Sequence, residues 1–366
     1  MHELYERLAY HLSTLGMGMP DNEDLQTILE QNLSLDEANI LLLLPTRVAP
    51  LEPVCVEEIL KNTILPKEEL IKTLENLTER GLLFSGITKE GEKGYALQQV
   101  GFGFPQTFFW KGEDTPHARN MVNLIGKYFN RQVTAQAYAG SKTKASRYIP
   151  VGNTVDHDIQ SVFPFHMMEQ VISQANTFAV THCPCRMVML LKDRGCDHPL
   201  EVCLKFDDMA EYVIERGLGR QITREEALEV IKKSEEAGLV HFVDNAIKDV
   251  KHNCNCCGCA CWNVGNIKRR KVPRDVLMAT YFIRETDIDK CVGCGDCEKI
   301  CPVDAVSVEA GRSTVDMDWC IGCGLCVGKC LNGAVKLVLR EDRADQTPLT
   351  DFKTLHSTIM KEKGLR

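Results

Sequence analysis

The sequence predicts an α+β protein of three domains and a C-terminal tail, and three observations lead to that prediction. The first hundred residues combine helical periodicity with a hairpin pattern, the middle segment holds nine of the 18 cysteines, and the C-terminal segment repeats a four-cysteine run. We place the domains at residues 1–100, 101–275 and 285–341, and the tail at 342–366. A chain of 366 residues with 44% hydrophobic residues is long and apolar enough for several packed cores.

Residues 1–100 predict a winged-helix-like module. Apolar residues recur at helical spacing at Leu70, Ile71, Leu74 and Leu77. Pro66 suits the first turn of that helix, and Gly81 suits its end. The segments LLFSGI and YALQQV flank the turn KEGEKG, which predicts a two-stranded hairpin after the helices.

The charge of this module argues against nucleic acid as a partner. Residues 1–100 contain 8 Lys and Arg against 17 Asp and Glu. The predicted recognition helix carries four acidic residues, Glu68, Glu69, Glu75 and Glu79, and three basic ones, Lys67, Lys72 and Arg80. Duplex binding rests on neutralising phosphates with Lys and Arg, so we expect the module to contact protein instead, as a homodimer or in a larger complex.

The sequence also limits the cellular compartments in which we expect the protein. The first residues, MHELYERLAYHL, carry charges where a secretory signal needs an apolar stretch. The longest apolar run, residues 40–44, is far shorter than the roughly 20 residues of a membrane-spanning helix. We therefore expect a cytoplasmic protein without a membrane span, in which clustered cysteines bind metal rather than form disulfides.

The C-terminal segment contains a doubled cysteine run. Residues 291–302 read CVGCGDCEKICP and residues 320–331 read CIGCGLCVGKCL, so both follow C-x2-C-x2-C-x3-C. Residues 287–338 thereby resemble the two-cluster bacterial ferredoxins, in which the fourth cysteine of each run ligates the other cluster. Zinc is the weaker alternative, because structural zinc sites use paired knuckles. The resemblance implies that [4Fe–4S] cluster 1 is held by Cys291, Cys294, Cys297 and Cys330, and cluster 2 by Cys320, Cys323, Cys326 and Cys301. Leu331 departs from the family, which has proline there.

The middle segment carries two further groups of cysteines, HCPCRMVMLLKDRGCDHPLEVC and HNCNCCGCACWN. They comprise Cys183, Cys185, Cys196 and Cys203, and then Cys254, Cys256, Cys257, Cys259 and Cys261. Two helices separate the groups, so we expect the fold to return the second onto the first, with a sharp bend at Gly258. Two further [4Fe–4S] clusters, one further cluster, and zinc or inert thiols all remain open. We expect His182, His198 and His252 to donate hydrogen bonds to the site rather than to bind metal.

The combination of CPCR, CNCC-x-C and the doubled run resembles a family of multidomain ferredoxin-type 4Fe–4S binding proteins of anaerobes, over roughly residues 20–340. The resemblance implies an electron-transfer role. We predict that single electrons pass through the two ferredoxin clusters and one or two middle clusters, between redox proteins that act as donor and acceptor. The alternatives are a reductase or reductive activator with a catalytic middle cluster, and a redox-sensing regulator. A carrier or oxidoreductase subunit is favoured over a stand-alone enzyme, since the sequence shows no nucleotide motif, nucleophile or general acid.

Overall fold

The computed structural model describes residues 2–152, 154–269, 271–343 and 346–366. Its helices are α1 (His2–Ser13), α2 (Glu23–Asn32), α3 (Leu35–Leu41), α4 (Val56–Leu60), α5 (Lys67–Glu79), α6 (Pro116–Tyr128), α7 (Arg131–Tyr138), α8 (His157–Val162), α9 (Met168–Ser173), α10 (Pro184–Leu190), α11 (Asp207–Glu215), α12 (Arg224–Glu236), α13 (Trp262–Lys268), α14 (Arg274–Leu277), α15 (Asp296–Lys299), α16 (Leu325–Lys329) and α17 (Phe352–Glu362). Its strands are β1 (Val54–Cys55), β2 (Leu83–Ile87), β3 (Lys93–Leu97), β4 (Ser146–Ile149), β5 (Phe178–His182), β6 (Glu201–Phe206), β7 (Arg220–Ile222), β8 (Val240–Asp244), β9 (His252–Cys256), β10 (Phe282–Thr286), β11 (Val306–Glu309), β12 (Arg312–Val315) and β13 (Val335–Leu339). None of these helices is both long and apolar enough to cross a membrane.

The chain divides into two compact units. The first contains the residues up to Thr143 together with 211–220 and 353–366, and the second contains 144–210 and 221–352. Residues 101–143, which the sequence analysis assigns to the middle domain, thus lie in the first unit. Most of the predicted tail lies there too, because α17 forms a helix that buries Leu355, Ile359 and Met360. The rest of the middle domain, residues 144–210 and 221–275, shares the second unit with the ferredoxin segment.

The first unit contains a three-stranded sheet of order β1-β3-β2 beside the helix α5. Leu70, Leu74 and Leu77 of α5 are fully buried, as their spacing predicts, whereas Ile71 of the same predicted stripe is half-buried. The hairpin of β2 and β3 turns at Gly91, whose φ of +83° is a conformation that glycine adopts without strain. Helix α3 packs on α5 and on α1, α1 packs on α2, and α2 packs on α6.

The second unit is built on a six-stranded sheet of order β4-β8-β9-β6-β5-β7. Aromatic and branched side chains of the sheet, such as Phe178 and Phe206, are buried against the helices α9 and α12. A capping box begins α12, in which Thr223 accepts a hydrogen bond from the amide of Glu226 and the Glu226 carboxylate accepts one from the amide of Thr223. This sheet positions three of the nine middle cysteines, because Cys203 lies on β6 and Cys254 and Cys256 lie on β9.

The two cysteine runs fold as two similar halves at the end of the second unit. Strand β10 pairs with β13, and β11 pairs with β12. Each run curls through a left-handed glycine into a short helix, Gly295 before α15 and Gly324 before α16. The helices α15 and α16 pack on each other, so the two runs face a shared core.

Candidate metal centres

Each of two cavities in the ferredoxin segment is lined by four cysteines. The first encloses about 350 Å³, including its open mouth, between Cys291, Cys294, Cys297 and Cys330. The second encloses about 340 Å³, measured in the same way, between Cys301, Cys320, Cys323 and Cys326. In both cavities the fourth cysteine of one run joins the first three of the other, which brings together the two predicted ligand sets. A [4Fe–4S] cube offers four iron corners, so the number of thiols fits one cube in each cavity.

The two cavities differ in their access to solvent. Cys294 of the first cavity is exposed and Cys291 is half-buried. Cys320, Cys323 and Cys326 of the second cavity are each no more than 9% exposed. The cysteines of the first cavity are therefore more exposed, on the whole, than those of the second.

Backbone amides donate to the thiols of both cavities. The amide of Ser313 lies 3.3 Å from Cys291 Sγ, and those of Ala305 and Ala334 lie 3.3 Å from the Sγ atoms of Cys301 and Cys330. The amide of Ser313, and then that of Gly293, lowers the pKa of Cys291. Such donors favour the thiolate, which is the form that binds iron.

One buried arginine lies beside both cavities. Arg284 is 1% exposed, its Nη2 lies 3.7 Å from Cys297 Sγ in the first cavity, and its side chain also lines the second. Nη2 also donates to Ser313 Oγ at 2.7 Å, whereas Nε has no hydrogen-bond partner among the described residues. A buried guanidinium is costly unless anions surround it, so its position fits anionic iron–sulfur groups on both sides.

Arg284→Met should lower the reduction potentials of the ferredoxin clusters. The reduced cluster carries one more negative charge, which the nearby cation stabilises. A unit charge at roughly 7 Å in an effective dielectric of about 20 is worth on the order of 100 mV. Potentiometric titration followed by EPR measures the shift, with Arg47→Met as a control at an exposed arginine of the first unit. Potentials that change equally in the two variants would contradict the role of Arg284.

The middle segment brings six of its nine cysteines together. Cys203 lies on β6, and Cys254 and Cys256 lie on one face of the neighbouring strand β9, where Leu204 pairs with Asn253. Cys183 and Cys185 stand at the start of α10, and Cys261 caps α13. We call these residues the six-thiol group, and their thiols interact in the order Cys183, Cys185, Cys261, Cys256, Cys254 and Cys203. Hydrogen bonds between neighbouring thiols lower the pKa of Cys261 and raise that of Cys185, so the group cannot ionise fully without a cation.

Two buried cations accompany the six-thiol group. Arg186 is 2% exposed, and its Nη1 lies 3.1 Å from the carbonyl oxygen of Asn255, while its Nε and Nη2 have no hydrogen-bond partner in the part of the chain that the structure describes. Burial alone would lower the pKa of Arg186, but the thiolates of Cys183, Cys256 and Cys257 outweigh burial and raise it. Lys205, 5% exposed, places its Nζ 3.5 Å from Cys203 Sγ. Cations beside packed thiols fit an iron–sulfur group, whose thiolates and sulfides are anionic acceptors.

The other three middle cysteines form a second group with a histidine, and two of them, Cys196 and Cys257, also pack in one buried cluster with Cys183 and Cys185. The sulfur atoms of Cys196, Cys257 and Cys259 and the Nδ1 atom of His198 all lie within 4.8 Å of one another. We call these four residues the Cys3His group. His198 Nδ1 lies 3.4 Å from Cys196 Sγ, a distance that suits both the predicted role as a hydrogen-bond donor and a role as a metal ligand. His252 contacts the Asp244 carboxylate at 3.1 Å, and His182 ends β5.

The middle and ferredoxin segments meet at Gly258. A Cβ added to Gly258 would come within 1.9 Å of the carbonyl oxygen of Pro302, so no other residue fits without movement. The chain turns at residues 258–260, as the sequence predicts, and the close approach to Pro302 is a further reason for glycine at this position. Pro302 follows Cys301 of the second cavity, and Lys268 reinforces the contact with a 3.3 Å ion pair to Asp304.

Comparison with known proteins supports the cofactor. Residues 290–335 match the family of the 4Fe-4S dicluster domain, a range that spans both cysteine runs. No curated protein and no solved structure matches the chain. The prediction of 4Fe–4S clusters as the cofactor is therefore confirmed, and iron–sulfur binding is a property of this protein.

Proposed function

We propose that this protein is an electron carrier. The ferredoxin segment exchanges single electrons with an iron–sulfur site held by the six-thiol group, and a partner redox enzyme donates or accepts those electrons. A bound [4Fe–4S] cluster takes up or releases one electron at a time. The contact between Gly258 and Pro302 is the observation that carries the proposal. It joins the loop of Cys301, beside the second cavity, to the turn after β9, which carries Cys254 and Cys256.

The cavities support the ligand sets of this proposal. Cluster 1 is assigned to the cavity of Cys291, Cys294, Cys297 and Cys330, and cluster 2 to that of Cys301, Cys320, Cys323 and Cys326. The six-thiol group supplies the ligands of the middle iron–sulfur site, where Arg186 and Lys205 offset negative charge.

Access to solvent supports an order of transfer. Cluster 1 is the point of exchange with a protein partner, because Cys294 is exposed beside Val292 and Leu331, which are 65% and 95% exposed. Such apolar residues are suited to a short-lived protein contact. Cluster 2 has more deeply buried cysteines and adjoins Pro302, which contacts Gly258. Leu331 is one of these contact residues, and its place in the contact explains why leucine stands where the family has proline.

An anaerobic reductive titration of the reconstituted full chain tests this function. The wild-type protein should accept more electrons than the Cys185→Ser variant, while both should show the same EPR signals from the ferredoxin clusters. Equal electron uptake by the two proteins would overturn the proposal, because the middle site would then be redox-inactive.

Gly258→Ala should weaken the contact between the middle and ferredoxin segments. The new methyl group meets a backbone carbonyl, and overpacking of this kind costs about 1–3 kcal/mol of unfolding free energy. Denaturant unfolding of the holo protein measures the loss, and rapid reduction followed by EPR reports slower filling of the middle site. Gly328→Ala is the matched control, since a Cβ there meets nothing within 4 Å. Equal behaviour of the two variants would remove the junction from the pathway.

We assign the N-terminal residues to a winged-helix-like module that contacts protein. The sheet order β1-β3-β2 beside α5 supports the module. Acidic partners hold several of its cations in ion pairs: Lys67 with Glu57, Lys93 with Glu75, Lys89 with Glu52 and Arg80 with Glu37. Cations held in this way are poorly placed to bind phosphates.

The module should therefore not bind duplex DNA in a salt-sensitive way. Fluorescence anisotropy of labelled duplexes, titrated with holo protein at low salt, measures this. Glu68→Lys/Glu69→Lys serves as a comparison, because it adds positive charge to the exposed start of α5. Submicromolar wild-type affinity that falls as salt rises would favour the regulator alternative instead.

A further inference from the structure

We propose that Cys196, His198, Cys257 and Cys259 form a mononuclear, tetrahedral site for a divalent cation of the zinc class, distinct from every iron–sulfur cluster of the chain. The inference does not depend on the electron-transfer function. It divides the nine middle cysteines into a cluster site of six thiols and a single-ion site of three thiols and one imidazole.

The distances between the four ligand atoms fit one ion. Cys196 Sγ lies 4.0 Å from Cys257 Sγ, and His198 Nδ1 lies 3.4 Å from Cys196 Sγ and 3.9 Å from Cys259 Sγ. A tetrahedral zinc ion with Zn–S bonds of about 2.3 Å holds its ligand atoms about 3.8 Å apart. A [4Fe–4S] cube binds each thiolate at a separate corner, which spreads the sulfur atoms to roughly 6 Å. All four ligand atoms of the Cys3His group stand at the spacing of one ion, whereas in the six-thiol group hydrogen bonds join successive thiols only.

The chemistry of the four ligands points the same way. Three thiolates and one imidazole are a usual donor set for structural zinc. Three thiolates around a divalent ion leave one net negative charge. The buried Arg186 guanidinium, whose Nη1 lies 3.9 Å from Cys257 Sγ, is placed to balance that charge.

The fold builds the site from two short segments. Cys196 and His198 lie in the loop between α10 and β6, and Cys257 and Cys259 lie in the turn that follows β9. An ion shared by these segments would fasten the loop to the turn. Gly258 stands between two of the ligands, so the same ion would also hold the turn against Pro302.

Metal and sulfide analysis of the full chain tests this proposal. The protein is reconstituted without oxygen from iron, sulfide and Zn²⁺, and iron, zinc and acid-labile sulfide are counted for each chain. We expect about one zinc in the wild type. His198→Ala and Cys259→Ser should each lose that zinc and keep their iron and sulfide. His198→Cys should retain it, because the substitution restores a fourth ligand.

Cobalt supplies a second readout. Co²⁺ added in place of Zn²⁺ should give the thiolate charge-transfer and visible bands of a tetrahedral site, and these bands should be missing in Cys259→Ser. Cys55→Ser should keep these bands, which shows that they do not come from Cys55, a residue of the first unit that could bind a cation together with Glu57 and Glu92. If Cys259→Ser removes iron together with sulfide, or if the wild type binds neither Zn²⁺ nor Co²⁺ at this stoichiometry, the proposal is overturned.

Discussion

Cys330→Ser should remove the cluster of Cys291, Cys294 and Cys297 and spare the cluster of Cys330's own sequence neighbours. Its thiol lies in the first cavity although its run supplies the second. The loss should amount to about four of the roughly eight irons of the ferredoxin segment. Iron and sulfide analysis, combined with EPR of the reduced protein, measures both the amount lost and the cluster affected.

A substitution of Cys301, the fourth cysteine of the other run, provides a second test of the cross-ligation. Cys301→Ser should remove the cluster of Cys320, Cys323 and Cys326 instead, because Cys301 lines the second cavity. Cys55→Ser should leave both clusters in place. If Cys330→Ser damages only the Cys320 cluster, the cross-ligation assignment is wrong.

Cys256→Ser should remove the iron of the middle site and leave the ferredoxin clusters intact. Cys256 is 3% exposed and lies within the six-thiol group, where its thiol interacts with those of Cys254 and Cys261. The expected loss is about four irons for each cube held there. Iron analysis and the absorbance of the reconstituted full chain measure the change.

Cys259→Ser is the matched control for Cys256→Ser. The two cysteines lie three positions apart but belong to different groups, so only Cys256→Ser should lose iron and sulfide. Equal iron losses would mean that all nine middle cysteines serve one kind of cluster. The division into two sites would then fail.

The ligand sets of the ferredoxin segment could be proposed from sequence because they rest on local spacing. Cysteines at three-residue intervals and the left-handed glycines Gly295 and Gly324 determine the loop around each cavity. The cross-over of Cys301 and Cys330 repeats a known pattern. Local chemistry was likewise sufficient for the buried face of α5 and for the capping box of α12.

The division of the middle cysteines could not be read from sequence. Cys256 and Cys257 are adjacent, yet successive side chains at a strand end point in opposite directions, and the partners of each depend on distant segments. The pairing of β6 with β9 brings Cys203 near Cys254, and the loop after α10 delivers Cys196 and His198 to the other side. Strand register and loop path are tertiary properties.

The buried cations and the unit boundaries also depend on tertiary contacts, so they could not be predicted from the sequence. Arg186, Lys205 and Arg284 each follow apolar residues in the sequence. A cation that is buried among apolar side chains needs an anion beside it, but the sequence does not say which anion that is. The helix α6 has an apolar stripe that buries Met121 and Ile125, and periodicity does not choose its partner. It packs on α2, which places residues 101–143 in the first unit.

The central claim is that the middle iron takes part in electron transfer with the ferredoxin clusters. Mössbauer spectroscopy of the ⁵⁷Fe-reconstituted full chain, poised at potentials across the range of about −700 to +450 mV that such clusters span, tests it most directly. We predict a component that changes oxidation state with potential and is absent from Cys185→Ser and Cys256→Ser. Middle-site iron that keeps one oxidation state throughout this range, or no iron beyond that of the ferredoxin clusters, would contradict the claim.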